Sequence, residues 1–150
     1  TQKIWVESPE LAWFLAKGLK EEKDALKAEI GIVWQRFFAE VVKKEFSAAV
    51  SFHESFHLTR LLPRLGYSIP MYERGLLPFH NGWNVHDCGG EGFYRYAHPH
   101  QAVEMAERFL ADLVRDGRTL EKIVCQSVSC VEHLKAQGGV NAVYWLDEIL

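Results

Sequence analysis

Ser47-Ala48-Ala49-Val50-Ser51-Phe52-His53-Glu54-Ser55-Phe56-His57-Leu58-Thr59-Arg60-Leu61-Leu62, closed by Pro63, is the stretch on which the reading of this chain turns. Proline disfavours helix at the residue before it, so a helix over 47–62 would stop there. Set at about 100° per residue, Val50, Leu58, Leu61 and Leu62 fill one arc, together with the flanking Phe46 and Leu65. Glu54 falls near the middle of that arc, and His53 and His57 lie at its edge. A carboxylate in the middle of an apolar face is costly unless something satisfies it. The placement therefore predicts a role for Glu54.

His53-Glu54-Ser55-Phe56-His57 also has a chemical reading. Histidines four apart lie one above the other on a helix and can share a metal ion. The glutamate beside the first can take a proton from a metal-bound water. The pattern resembles that of the zincin metallohydrolases over these five residues and their uncharged flanks. The resemblance implies zinc, with His53 and His57 as ligands and Glu54 as the catalytic base. It departs further along. Arg60 and Pro63 stand where the extended metzincin form has Gly and His, and Glu73 lacks the surroundings of a gluzincin ligand.

Six of the 7 histidines fall between residues 53 and 100. A rigid helix offering two ligands, faced by a loop offering a third, builds a three-ligand centre with one position left for water. His86 is the first choice for the third ligand, since it is followed closely by glycines that allow tight turns. His80 and His98 come next, and Asp87 and Cys88 are additional candidates. A structural metal closed by His86, Cys88, His98 or His100 is another reading, but the chain lacks a Cys-x-x-Cys pair. Cys88 is also a candidate nucleophile. Cys125 and Cys130 read as buried small hydrophobes. Phe79, Trp83 and Tyr94 are expected to wall a pocket, or else to anchor the loop on the helices.

Outward from this segment the helical spacing continues. Ser8-Pro9-Glu10 is a helix opening, with a cap, a first-turn proline and an acid suited to the helix dipole. It follows a short extended start, Lys3 to Glu7. Apolar residues recur at Leu11, Phe14, Leu15, Leu19, Leu26, Ile30, Val33, Phe37 and Val41. Helices are expected again over 102–114, 120–134 and 140–150. Residues 66–98 are rich in Gly, Pro and Asn, with room for a short β-hairpin and for strands around Leu76–Phe79 and Phe93–Tyr96. The expected fold is mainly α. It is a single-domain helical bundle of about five or six helices with an irregular, loop-rich insertion at 66–98.

Composition bounds the function. At 150 residues with 48% hydrophobic side chains, the chain can bury a core without disulfides. A net charge of −3, with basic residues scattered among acids, excludes the footprint of a nucleic-acid binder. No run of about 18 apolar residues occurs, so no membrane span is expected. An odd count of 3 cysteines argues against a disulfide framework and for a reducing, cytoplasmic setting. Two function classes follow. One is a zinc-type hydrolase acting on a small-molecule or peptide substrate. The other is a non-catalytic helical module whose aromatic, His-rich loop binds a small ligand, a metal or a protein partner.

Overall fold

Parallel strand pairs organise the chain, and helices carry most of its regular structure. The computed structural model describes residues 2–21, 28–44, 50–69 and 87–150. Strand β1, Gln2–Val6, leads into helix α1, Pro9–Glu21, and β2, Ala28–Ile32, returns parallel to β1 with Ile4 opposite Ile30. Helix α2, Val33–Lys43, follows at once. A second sheet has the order β3-β4-β5, all parallel: Ser51–His53, Ile123–Cys125 and Ala142–Tyr144. A π-helical turn, His57–Leu61, runs on into α3, Leu62–Arg64. Further helices are α4, Tyr94–Ala97; α5, Pro99–Arg115; α6, Val128–Lys135; and α7, Trp145–Ile149.

Local chemistry accounts for several of these boundaries. The Leu11 N–H donates to the Ser8 hydroxyl at 3.2 Å, so Ser8 caps α1 as its sequence predicts. Gln35, in the first turn of α2, accepts the Ile32 N–H at 3.2 Å and donates its Nε2 to the Ser68 carbonyl at 2.6 Å. In α5 the buried residues Ala102, Ala106, Phe109 and Leu113 recur at helical spacing, as expected for that segment.

The mainly helical class holds, but the bundle picture needs correction. Three segments expected to be helical begin as strands. Residues 51–53 are β3, residues 123–125 precede α6, and residues 142–144 precede α7. All of β3 and β4 is buried. A strand buried on both faces shows no alternation, so its apolar run fits a helical arc as well as a strand. Ile30, counted as helical, lies in β2. The insertion is only partly described: 87–93 is irregular, and Phe93–Tyr96, expected as a strand, leads into helix α4. Leu76–Phe79 lies outside the described residues.

The two sheets share one buried apolar cluster. It runs from Val6, Ile30 and Ile32 through Trp34 to Phe52, Val124 and Trp145. Trp34 is its pivot. Its ring meets Trp145 edge-on at 4.8 Å between centroids and lies tilted against Phe52 at 6.1 Å. The small residues Ala12 and Ala16 face the core from α1 and let that helix come close. This core seats the β3-β4-β5 sheet with its carboxyl edge toward the 87–92 loop and the start of α6.

Candidate functional site

In open parallel sheets, ligands bind beyond the carboxyl ends of the strands. Here that edge is set by His53, Cys125 and Tyr144, which share one register. Just beyond it, the turns after β3 and β4 are tied together. The Gln126 N–H donates to the His53 carbonyl at 3.2 Å, and the Ser55 N–H donates to Gln126 Oε1 at 2.7 Å. Ser127, the cap position of α6, donates its hydroxyl to Glu10 Oε1 at 2.9 Å. That contact fixes the start of α6, and with it Cys130, against the first turn of α1.

The loop from Asp87 to Gly92 closes over this edge. Asp87 Oδ1 accepts the Gly89 N–H at 2.9 Å, and Gly90 N–H donates to Cys88 Sγ at 3.4 Å. Gly89 has φ +78°, a conformation that side chains disfavour. A Cβ on Gly90 would stand 2.8 Å from His133 Cβ and 3.2 Å from Cys130 Cα. Gly90 therefore lets the loop backbone press against α6, and Gly89, where a Cβ would stand 3.0 Å from Ala102 Cα, lets it lie against α5.

This packing assembles three buried side chains from three elements. The donor atoms of His53, Cys88 and Cys130 all lie within 4.8 Å of one another. His53 is fully buried, and neither ring nitrogen has a hydrogen-bond partner among the described residues. Gln126 Nε2 is orphaned in the same way. Buried polar atoms are almost always satisfied, so these exceptions call for an explanation.

Charge coupling runs through the cluster. Burial alone would lower the His53 pKa, but the charge of Cys88 and its sulfur, near enough to act on the ring though outside hydrogen-bond geometry, outweigh it, with Asp87 and Glu91 adding, and His53 is pushed up to about 9. The neighbouring Cys130 thiol, and then the positive charge of His53, hold Cys88 well below the ordinary thiol range against the cost of burial. Burial pushes the Cys130 and Cys125 thiols upward. Burial likewise raises the Asp87 carboxyl.

Beside the cluster stands a second pair. Buried Glu91 accepts the Phe56 N–H and the His57 N–H, each at 3.0 Å, and a short contact from His57 Nδ1. Cys130 Sγ donates weakly to Glu91 Oε1 at 3.7 Å. Burial would lower the His57 pKa, but the hydrogen bond to Glu91 and its charge overcome this and raise it. The His57 ring packs edge-on against Trp13 at 5.6 Å.

The sequence-predicted site is thus only partly brought together. His53 ends a strand and His57 opens a π-helical turn, so the two do not stack on one helix. His53 joins the cluster together with Cys88, whereas His57 turns to Glu91. Glu54 is buried. Asp87 is half-buried and bonds to its own loop. His98 lies between α4 and α5, its ring tilted against the half-exposed Tyr94 at 5.0 Å between centroids, and neither joins the cluster. His80, His86, Phe79 and Trp83 lie outside the described residues. Cys130 and Glu91 were not anticipated as site residues. The one local signal for Cys130 is its place in the first turn of a helix that follows a strand, and that reads only once β4 is recognised.

No family model matches the chain, and neither a curated protein nor a solved structure is similar to it.

Proposed function

We propose that His53, Cys88 and Cys130 form a transition-metal centre of zinc type that serves hydrolytic chemistry on a small-molecule or peptide substrate. The observation that carries this reading is His53. It is fully buried, lacks a hydrogen-bond partner on either nitrogen among the described residues, and stands against two cysteine sulfurs. A metal ion would give the ring a partner and bind the sulfurs as thiolates. Zinc bonds of about 2.0–2.3 Å in a tetrahedron put ligand atoms about 3.3–3.8 Å apart. The present spread of 4.8 Å or less needs only a modest contraction. Thiolates with imidazole suit zinc, and the softer sulfur ligands also favour Cu(I).

Three protein ligands leave a fourth position for water, whose pKa zinc brings close to neutral. Glu54, next to His53 in sequence and buried, is the proposed base. Glu91 accepts from two backbone N–H groups and contacts His57, and so positions the turn after β3. The three cysteines are all free thiols, which suits a reducing compartment such as the cytoplasm. Among the described residues no helix is long and apolar enough to cross a membrane.

Metal analysis of reduced protein, purified without a His tag, tests the centre. About one equivalent is expected, lost in His53→Ala and retained in His57→Ala. Background metal in the wild type would sink the assignment. Glu54→Gln should keep the metal and the melting temperature while abolishing turnover of ester and amide substrates, since the amide cannot take the water's proton. A lowered melting temperature with no metal in either protein would make Glu54 a structural residue.

The opposed shifts of Cys88 and His53 favour a second reading, a thiolate nucleophile paired with an imidazolium. In metal-free protein, the ultraviolet absorbance of a thiolate should then grow in at a pH well below the ordinary thiol range and be lost in Cys88→Ser. Thiolate absorbance that appears only across the ordinary thiol range would dismiss it.

A further inference from the structure

We propose that Cys88 and Cys130 are a reversible dithiol–disulfide pair that a hydroperoxide oxidises, and that closing the disulfide discharges the metal. The pair stands on its own geometry; the discharge rests on the metal reading above.

The two sulfurs come from a loop and a helix that are pressed together. Both are buried, and they lie within 4.8 Å of each other. A disulfide needs about 2.05 Å between sulfurs, so the side chains must turn toward each other to close it. Gly90 keeps the backbones close, since even a methyl group there would meet Cys130 Cα and the Ser129 carbonyl. The surroundings also differentiate the two thiols. Gly90 N–H donates to Cys88 Sγ, while Cys130 Sγ donates toward Glu91 Oε1. Cys125 is set apart, with its thiol directed to the Ile123 carbonyl of its own strand at 3.8 Å and outside the three-residue cluster.

The reaction balances in two steps. Cys88 sulfur attacks one oxygen of the hydroperoxide, the O–O bond breaks, and water or an alcohol leaves, giving a sulfenic acid. Cys130 sulfur then attacks Cys88 sulfur. The S–S bond forms, the S–O bond breaks, and the hydroxyl leaves as water with the Cys130 proton. The two thiols supply two electrons and the peroxide accepts them. A small thiol reverses the step by exchange. A disulfide offers no thiolate to a metal, so the centre would lose two of its three ligands, and His53 alone is a poor site.

Full-length reduced protein loaded with zinc is the test object. Hydrogen peroxide is added, released zinc is followed with a chromogenic chelator, and the thiols are mapped by differential alkylation and peptide mass. The expected result is a Cys88–Cys130 linked peptide that accumulates in step with zinc release and reverses with dithiothreitol. Cys125→Ser should behave like wild type, and Cys130→Ser should give no linked peptide. A disulfide involving Cys125, or oxidation that stops at sulfinic acid on unlinked cysteines, overturns the pair. Zinc that binds and stays while both thiols remain reduced overturns the pair and leaves the metal centre standing. A Cys88–Cys130 disulfide in a protein that never binds zinc supports the pair and overturns both the discharge and the metal centre.

Discussion

β1–α1–β2 and β4–α6–β5 are both parallel strand pairs joined by a helix, yet they end differently. In the first, β1 is exposed except at Val6, and the shared register finishes on Val6 opposite Ile32, two buried aliphatic residues. In the second, β4 is buried throughout. Its register finishes on Cys125 opposite Tyr144, with buried Gln126, Ser127 and Cys130 just beyond. A strand end that closes on aliphatic side chains raises no question of polar satisfaction. A strand end that buries polar and sulfur-bearing side chains has to satisfy each of them. None of the unsatisfied buried atoms found among the described residues lies in the first sheet; those of His53, Gln126 and Tyr144 lie at the second, and Arg95 Nε lies on α4.

The contrast should be largest in stability. Trp34 is 1% exposed and joins α2 to the second sheet, whereas Trp5, on β1, is 41% exposed. Trp34→Ala is expected to cost about 3–5 kcal/mol. Trp5→Ala should cost within about 1 kcal/mol, because surface truncations rarely cost more. Urea unfolding of the two variants measures the difference. Equal losses would mean that the two sheets do not share a core as described.

A middle-sized effect tests the polar end of the second sheet. Glu91→Ala strips a buried acceptor from two backbone N–H groups and from His57, and should cost about 3 kcal/mol. The same pair predicts a pH dependence. The folded-state pKa of His57 is raised, so its contribution is complete below the ordinary histidine value of about 6.5. It is then lost as pH rises through the raised folded value. Melting temperature measured from pH 5 to 9 should show this decline in wild type, and a smaller one in His57→Gln, where only the raised His53 remains. A wild-type advantage that grows with pH would have the wrong sign and would refute the pairing.

The smallest effect belongs to the first sheet. Lys3 and Glu29 face each other across β1 and β2 at 3.2 Å, both well exposed. A double-mutant cycle should give a coupling below about 1 kcal/mol that fades with added salt. Coupling as large as the Glu91 effect would erase the distinction between a wet sheet and a chemically loaded one.

Legibility in the sequence followed how far each signal depends on neighbours. The start of α1 was plain, because Ser8 and Pro9 act within one turn of chain. The helix over 99–115 was plain too, because one face meets the core and the other meets water. The segments at β3, β4 and β5 were misread for the opposite reason. They are short and largely buried, and buried strands do not alternate. His53-Glu54-Ser55-Phe56-His57 then inherited the error. Its spacing has metal-binding meaning only on a helix, and here the chain turns between His53 and His57.

By itself, the sequence determined that helices would dominate and that α1 opens at Ser8-Pro9, and it marked His53, Glu54, His57 and His86 as site candidates, with His80, Asp87, Cys88 and His98 behind them. Only the tertiary structure decided which of these meet. Cys130 reaches His53 because α6 begins at the end of a strand that pairs with β3. Cys88 reaches both because Gly90 lets its loop lie against α6. Such contacts come from strand pairing and loop packing between segments far apart in the chain. Residue spacing along a single segment records neither.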